Sequence, residues 1–366
     1  MKKLFLLFVA SVLVITGTKA EESSTLVATL NHEGKMLAYY GQDALVKAYN
    51  VAREGDVITL SAGRFSTCTM QKNITIRGVG CQADSKSDNG ITYLIGAYDT
   101  YFNITLQDNE YEFVLEGVYC LGNVSISSSK TSITKEVTLS KCCFNYGVTL
   151  ANSAYAKVNQ CYHWGQATSN NPFTFTMYQG VCQNSIFRKF SGDTGNSPIV
   201  LQNCVIYDFR SGWFSIPSSS VLTNCLVIGN GLAFSSASSV HNCVGYDTGI
   251  ESDFFKYTTN STNKMVEDRD NFFKHSIVTK STDQYGDVSG YTVKWDNYSS
   301  VEGGGLFELS DEAAKIYKGN DGTVVGVWGG AYPFNITPSN PRLTKCEMVP
   351  RVGNDGKLNV TIEVAQ

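Results

Sequence analysis

The feature that most constrains this chain is a short unit that recurs between Cys120 and Cys243. Each copy has a β-branched or apolar residue, two variable residues, a polar or amide residue, Cys or Ser, and then apolar residues. A recurrence of this kind predicts a repeat protein. The positions that carry Cys or Ser are 18 to 24 residues apart, and they are Cys120, Cys142, Cys161, Ser185, Cys204, Cys225 and Cys243.

The period near twenty is too short for a pair of helices and suits a coil of parallel strands, with successive coils about 4.8 Å apart. The leucine-rich repeat has a similar period, but its Leu and Asn spacing is absent here. Two similar segments, 74–81 and 113–120, lie 39 residues apart, about two units. Their alternation predicts that Ile74, Ile76, Phe113 and Leu115 share one side of their strands. We expect roughly nine coils between residues 57 and 249.

The segment 43–55 predicts an amphipathic helix that covers the open end of the coil stack. Its apolar positions 44, 45, 48, 51 and 52 share one face, Asp43 is a candidate N-cap, and Gly55 is a C-terminal stop. A stack of coils needs such a cover, because exposed strand edges and an exposed core invite association.

Three stretches resemble bacterial right-handed parallel β-helix proteins of the pectate-lyase-like superfamily. Residues 43–67, with the run KAYNVAREGDVITLSAGRF, resemble the start of such proteins, and 73–80 (NITIRGVG) resembles their next coil. Residues 309–314 and 322–332 resemble their closing segment. The resemblance covers roughly 43–334 and is closest to uncharacterised secreted bacterial members.

The resemblance implies an all-β fold: a right-handed parallel β-helix with an N-terminal helical cap and a β-rich C-terminal segment. It implies no single function, because the superfamily holds lyases, hydrolases, esterases and adhesins.

The N-terminus predicts export. Lys2 and Lys3 precede an apolar run over 4–15, and the small residues Thr18 and Ala20 follow, which is the pattern of a signal peptide over residues 1–20. The run is shorter than the roughly twenty residues that span a bilayer, and no later segment is a membrane-span candidate. The expected location is therefore secreted or cell surface, without a transmembrane segment in the mature chain.

We expect residues 21–334 to form the β-helix with its cap and closing segment, although 251–300 is more polar and interrupts the repeat. Residues 335–366 contain a turn at Asn354-Asp355-Gly356 and a strand-like run at 359–364. This tail is either a small appended sheet or a strand pair laid along the rod, and packing on the rod is favoured.

The cysteines are expected to stack inside the solenoid as free thiols, because they recur at the separation of one coil and free Cys is commonly buried. Neighbours in such a column lie within disulfide range at Cα, so some disulfides are the alternative, although parallel side chains orient poorly for bonding. Metal binding is not expected, since no Cys-x-x-Cys pair exists.

Aligning residues after the repeat unit places Trp164, Arg188, Tyr207, Ile228 and Tyr246 in one column and Gly165, Lys189, Asp208, Gly229 and Asp247 in the next. The best catalytic candidates are Arg188, Lys189, Asp208 and Arg210, with Asp193 nearby. The alternative is an exposed ion pair across strands, which contributes little. Asp208 and Asp247 would lie about 9 to 10 Å apart, too far for one calcium ion but near the limit of an inverting carboxylate pair.

Aromatic residues supply the ligand-binding candidates. Trp164, Tyr207, Trp213 and Tyr246 could form a platform on which sugar rings stack, although aromatic ladders on solenoids often serve packing alone. The four His residues are dispersed through the chain and predict no metal site.

These features favour a non-catalytic protein that binds a glycan or another cell-surface component along an exposed sheet. The alternative is a polysaccharide lyase or glycoside hydrolase that acts on an acidic, plant or host polysaccharide. No cofactor is expected, and calcium enters only for a lyase, because the resemblance implies that lyases of this fold hold calcium with acids on adjacent coils. Without its first twenty residues the chain has 26 basic and 33 acidic residues, a net charge of −7, so no nucleic-acid partner is expected.

Overall fold

The computed structural model describes residues 26–81, 90–96, 101–130, 135–165, 173–192, 197–209, 214–215, 219–229, 239–249, 254–255, 258, 262–274, 278–282, 284–285, 288–293, 307–335, 337, 342–348 and 360–365. The fold is nearly all β, with 48% strand and 6% helix, and its main body is a parallel β-solenoid. The fold class expected from the sequence is confirmed. The predicted signal peptide lies outside the described residues.

The N-terminal end is closed by a hairpin and a helix, namely β1 (Val27–His32), β2 (Lys35–Tyr40) and α1 (Ala44–Val51). The helix buries the apolar face expected from the sequence, with Ala44, Leu45 and Ala48 fully buried, but Val51 is 48% exposed. Asp43 occupies the N-cap position without a side-chain capping hydrogen bond.

The solenoid strands are short. The first turns contain β3 (Val57–Leu60), β4 (Gly63–Ser66), β5 (Thr75–Arg77), β6 (Thr92–Ile95), β7 (Tyr101–Leu106), β8 (Phe113–Glu116), β9 (Tyr119–Cys120) and β10 (Asn123–Ser128). The middle turns contain β11 (Lys135–Ser140), β12 (Cys143–Phe144), β13 (Val148–Asn159), β14 (Tyr162–His163), β15 (Phe175–Gln183), β16 (Ile186–Phe187) and β17 (Phe190–Gly192). The last turns contain β18 (Ile199–Gln202), β19 (Val205–Phe209), β20 (Phe214–Ser215), β21 (Val221–Thr223), β22 (Leu226–Gly229), β23 (Ser239–His241), β24 (Val244–Asp247) and β25 (Lys264–Met265).

The strands form three sides. In the first sheet β1 joins β3 in an antiparallel pair, and the parallel order continues β3-β5-β8-β11-β13-β15-β18-β21-β23. The second sheet has the order β4-β6-β9-β12-β14-β16-β19-β22-β24-β25. A branch of the first sheet, β7-β10-β13-β15-β17-β20, forms the third side, and β13 reaches both because its register shifts between Leu150 and Tyr155.

The solenoid has about seven turns rather than the roughly nine expected. The reason lies in the two similar segments that are 39 residues apart. They occupy neighbouring turns, because β5 pairs directly with β8, with Ile76 beside Leu115. One turn can therefore contain about twice the repeat length. The predicted inward positions Ile74, Ile76, Phe113 and Leu115 are all fully buried.

A sharp corner connects the first sheet to the second in each turn, and the residue at this corner has a positive φ between 43° and 56°. The corner residues are Lys141, Gln160, Asn184, Asn203, Asn224 and Asn242. Each is followed by a fully buried Cys142, Cys161, Ser185, Cys204, Cys225 or Cys243, so the predicted thiol column is confirmed for these six positions. The ten cysteines whose side chains are described are free.

Cys120 does not belong to that column, contrary to the alignment of the repeats. Its Cα partner is Phe144, two residues beyond Cys142. Cys120 instead shares an inward column of the second sheet with Leu94, Phe144, His163 and Phe187.

The C-terminal part contains β26 (Val278–Thr282), β27 (Val288–Val293), α2 (Asp311–Ile316), β28 (Arg342–Met348) and β29 (Val360–Ala365). Within it, side chains of residues 266–273 and 307–334 cover the outer face of the later strands of the second sheet. Helix α2 begins with a capping hydrogen bond from the Ala313 amide to the Ser310 hydroxyl. After α2, residues 319–335 and 337, which we call the strap, run back along the rod.

The strap lies on the corner residues. Lys141 Nζ donates to Thr337 O at 2.7 Å, and Asn184 Nδ2 donates to the carbonyls of Val327 and Gly329 at 2.9 and 2.8 Å. Its apolar side chains, with those around α2, bury outward residues of the second sheet in a second hydrophobic cluster. That cluster includes Tyr162, Ile186, Val205, Tyr207, Leu226, Ile228, Tyr246, Phe272, Phe273, Phe307, Leu309, Tyr317, Val325, Val327 and Phe334.

The tail contains one antiparallel strand pair, β28 with β29. Within the described residues these strands pair only with each other. The expectation that the tail packs on the rod stays a prediction. No described helix has the length and apolar character needed to cross a membrane.

Candidate functional site

One column of outward side chains runs the length of the second sheet. Its register pairs Arg64 with Tyr93, Tyr93 with Tyr119, and Tyr119 with Cys143. The column continues through residues that the C-terminal part covers, and they are Tyr162, Ile186, Val205, Leu226 and Val244. Arg64 is exposed, and Tyr93 and Tyr119 are half-buried, so the N-terminal part of the column reaches the surface.

The accessible part of this column is a guanidinium group and two aromatic rings in contact with one another. The guanidinium carbon of Arg64 lies 5.1 Å from the centroid of the Tyr93 ring. The rings of Tyr93 and Tyr119 are 5.4 Å apart with planes tilted by 53°. Burial and the neighbouring thiol of Cys143 raise the pKa of Tyr119, so its hydroxyl stays protonated and can donate a hydrogen bond.

A second cation–aromatic pair lies further along the rod. The guanidinium carbon of Arg188 is 6.0 Å from the centroid of the Trp164 ring, and the Trp164 ring is 6.0 Å from the ring of Tyr162. Trp164 and Arg188 are both half-buried. Alignment of the repeats predicts these two residues in one column, and the structure brings them together.

We call Arg64, Tyr93, Tyr119, Trp164 and Arg188 the aromatic strip. The strip extends from β4 to just beyond β16, across six neighbouring strands of the second sheet, and it is interrupted between Tyr119 and Trp164, where Cys143 and Tyr162 are buried. With about 4.8 Å between strands, its length is about 24 Å. Both of its ends carry an arginine.

Two predicted platform residues are buried, and the prediction that they stack sugar rings is wrong. Tyr207 is 1% exposed and Tyr246 is 0% exposed. Tyr207 packs 5.3 Å from the Phe307 ring, and Tyr246 packs 5.2 Å from the Phe273 ring and donates its hydroxyl to Arg269 O. Both side chains point outward as expected, but the C-terminal part covers them.

The predicted catalytic group is not assembled by the described residues. Lys189 is half-buried, and its carbonyl accepts the amide of Phe175. A bulge in β19 puts Phe209, instead of Asp208, beside Gly229, so the second predicted column is interrupted there. The side chain of Asp208 and the residues Arg210, Trp213 and Asp193 lie outside the described part of the chain.

Asp247, the second member of the predicted carboxylate pair, is fully buried. Its Oδ1 accepts the amide of Gly249 at 2.9 Å, and its Oδ2 lies 3.9 Å from the guanidinium of Arg269. These contacts give it a structural role inside the fold.

A charged group that was not predicted from the sequence lies on the outer side of the first sheet. Glu112 and Glu136 lie side by side on neighbouring turns, and Lys157 Nζ is 2.7 Å from Glu136 Oε2. The hydrogen bond to Glu136 raises the pKa of Glu112, and the bond from Lys157 lowers the pKa of Glu136. The two glutamates are 24 positions apart, close to the repeat length, and this spacing was the available signal.

A cavity of about 990 Å³ lies at the far end of the rod, between α2 and the segment after β25. Two of the charged side chains that line it have polar partners. Lys274 Nζ lies 2.9 Å from Glu308 Oε1, and Asp268 accepts the side-chain amide of Asn271 at 2.9 Å. None of the predicted catalytic or ligand-binding residues lines this cavity.

The residues that the structure describes contain no group of three or more His, Cys, Asp or Glu side chains arranged to hold a metal ion. The protein is a parallel β-solenoid whose second sheet has accessible outward-column residues on β4, β6 and β9 and buried ones from β12 to β24. No protein-family profile matches the sequence, and neither a curated protein sequence nor a solved structure is significantly similar to it.

Proposed function

We propose that this chain is an exported β-helix protein that binds a glycan, or another polymer of a cell surface, along the aromatic strip without catalysing a reaction. We further propose that it is a non-enzymatic relative of the pectate-lyase-like superfamily. The observation that carries the proposal is the strip itself: Arg64, Tyr93 and Tyr119 are accessible at the N-terminal end of the second sheet, and the half-buried pair of Trp164 and Arg188 lies further along it.

The chemistry of the strip suits a carbohydrate. Aromatic rings offer flat apolar faces with a polar edge, which match the apolar face and the hydroxyl rim of a sugar ring. Arginine adds a planar fork of donors for hydroxyl, carboxylate or sulfate groups. Groups of this kind on several neighbouring strands favour an extended polymer over a small molecule, and they require no cofactor.

Affinity electrophoresis against neutral and acidic polysaccharides tests the proposal. We expect retardation of the wild-type protein by at least one polysaccharide, and its loss in Tyr93→Ala and Arg64→Ala. Tyr101→Ala is the matched control, because Tyr101 is a 52% exposed aromatic residue of the third side. Equal retardation of the Tyr93 and Tyr101 variants would show that the strip is not the binding surface.

A polysaccharide lyase or glycoside hydrolase is the second candidate, and the Glu112–Glu136–Lys157 group favours it. A carboxyl group with a raised pKa beside an ionised one is the arrangement of an acid and a base. The test is incubation with the same polysaccharides, with and without calcium, followed by detection of unsaturated or reducing ends. Turnover that is lost in Glu136→Gln would establish catalysis and replace the binding proposal.

A further inference from the structure

Cys81 and Cys143 differ from the thiols of the inner column, because they meet on the outer side of the second sheet. Cys143 shares the outward column with Tyr119 and Tyr162. Cys81 belongs to no strand, yet it lies in the same buried cluster, and the two residues are 3% and 4% exposed.

The backbone directs Cys81 toward Cys143. The amide of Gly80 donates to Gly117 O at 2.9 Å, which ties the segment to the following turn. The thiol of Cys81 reaches one turn further and donates to Lys141 O at 3.2 Å, two residues before Cys143. Cys81 therefore approaches the sheet from outside, while the side chain of Cys143 points away from the sheet.

The inner thiols have a different arrangement. Cys142, Cys161, Cys204, Cys225 and Cys243 each donate to the carbonyl oxygen two residues earlier, so their side chains point the same way, turn after turn. A disulfide needs a Cβ–S–S–Cβ torsion near 90° and Cβ atoms that face each other. Parallel side chains do not meet this need, whereas side chains that approach from opposite sides do.

We propose that Cys81 and Cys143 are a disulfide-forming pair that closes when the protein meets a thiol oxidant such as a low-molecular-weight disulfide. One cysteine thiolate attacks the oxidant and forms a mixed disulfide, and the second cysteine displaces the remaining thiol. The two cysteines lose two electrons and two protons and gain one S–S bond, while the oxidant is reduced to two thiols.

The contact with the Cys143 side chain and burial raise the pKa of the Cys81 thiol, so the pair reacts slowly at neutral pH once the protein is folded. The bond would join the segment after β5 to β12, across the intervening turn that carries Tyr119. Tyr119 has both thiols among its close neighbours. The bond would therefore fasten the most N-terminal turns and fix the surroundings of one ring of the aromatic strip.

Peptide mapping of the full chain tests this inference. The protein is incubated with oxidised glutathione at mildly alkaline pH, alkylated, digested without reductant and examined by mass spectrometry. We expect a peptide pair that joins Cys81 to Cys143, lighter by two hydrogen atoms than the separate peptides and absent after reduction. A map without this pair, or with a bond between inner neighbours such as Cys204 and Cys225, would overturn the inference.

Variants give a second readout that does not depend on the map. Oxidation should raise the Tm of the wild-type protein by several degrees, and the rise should be lost in Cys81→Ser and in Cys143→Ser. Cys204→Ser is the matched control, since Ser185 already occupies an inner-column position and its hydroxyl donates to Gln183 O. A rise retained in both outer variants, or lost in the control, would contradict the assignment.

Discussion

Asn224 and Asn320 are joined by two hydrogen bonds of opposite direction. Asn224 Nδ2 donates to Asn320 Oδ1 at 2.9 Å, and Asn224 Oδ1 accepts the amide of Asn320 at 3.0 Å. Asn224 is a fully buried corner residue, and Asn320 is the second residue of the strap. The pair thus fixes the start of the strap to the rod.

We predict that Asn224→Gly destabilises the protein by about 1 to 2 kcal/mol, because two hydrogen bonds to Asn320 are lost, while the exposed Asn320 can bond to water instead. Glycine is the suitable replacement, since Asn224 has a φ of 56° and glycine adopts this conformation without strain. The measurement is urea unfolding followed by circular dichroism.

Asn242→Gly is the control for that change. Asn242 has a φ of 51° at the next corner, and no hydrogen bond of its side chain to the strap is found among the described residues. We expect its effect to stay within about 0.5 kcal/mol. Similar losses in the two variants would show that the corner conformation, instead of the strap contact, sets the stability.

The strap itself requires glycine at position 329. A Cβ atom placed on Gly329 would overlap the carbonyl oxygen of Val324 and would lie 2.9 Å from Asn203 Nδ2. We predict that Gly329→Ala loosens the strap and makes it sensitive to limited proteolysis.

Gly322→Ala tests the same substitution in open space. Gly322 has a φ of 78° and nothing within 4 Å of an added Cβ, so only backbone strain of about 1 kcal/mol is expected. Faster cleavage of the strap in the Gly322 variant than in the Gly329 variant would contradict the packing described for Gly329.

Much of the solenoid could be predicted from the sequence, because its interior repeats. The column from Cys142 to Cys243 and the inward strand positions follow from local patterns that every turn must satisfy. The pairing of β5 with β8 could not be predicted from a fixed period, because connecting segments vary in length without disturbing the strands. The hairpin of β1 and β2 carried no repeat signal and was missed.

Whether an outward aromatic side chain is exposed or buried depends on contacts with residues distant in the sequence. Trp164 and Tyr246 fall in one column of the aligned repeats, yet Trp164 is half-buried and Tyr246 is fully buried. The difference arises from Phe272 and Phe273, whose rings lie 5.6 and 5.2 Å from the Tyr246 ring. The local sequence pattern around Tyr246 does not predict that these two rings cover it.

His163 should make the protein sensitive to acid. It is fully buried, its Nε2 bonds to Tyr146 O at 3.1 Å, and its Nδ1 has no partner among the described residues. Burial lowers the pKa of His163 to about 3. In the unfolded chain the His163 imidazole takes up a proton near pH 6.5, whereas in the folded protein it stays neutral down to about pH 3. The free energy of unfolding is therefore unaffected above pH 6.5 and falls by up to about 1.4 kcal/mol per pH unit toward pH 3.

We predict that His163→Phe removes this contribution. Between about pH 6 and pH 4 the free energy of unfolding should then fall less steeply with decreasing pH, by the equivalent of about one bound proton. Phe187→Leu is the control, because Phe187 neighbours His163 in the inward column and carries no proton. It should lower stability at every pH and leave the slope unchanged. An unchanged slope in His163→Phe would rule out His163 as the source.

The thiols of the inner column should react more slowly with an alkylating reagent than a thiol nearer the surface. Burial raises the pKa of Cys161, Cys204 and Cys243, and all three are fully buried, so alkylation requires the fold to open. Cys68 is only half-buried. We expect iodoacetamide to modify Cys68 first and the inner thiols on the order of 100-fold more slowly, as followed by peptide mass spectrometry. Comparable rates would mean that the column is open to solvent.

The most direct test of the proposed binding surface is hydrogen–deuterium exchange with and without a polysaccharide that the protein retains. Binding along the aromatic strip predicts slower exchange in β4, β6, β9 and β14, with no change in β20 or β21. Slower exchange confined to β8, β11 and β13, around Glu136 and Lys157, would contradict it and place the ligand at the charged group of the first sheet.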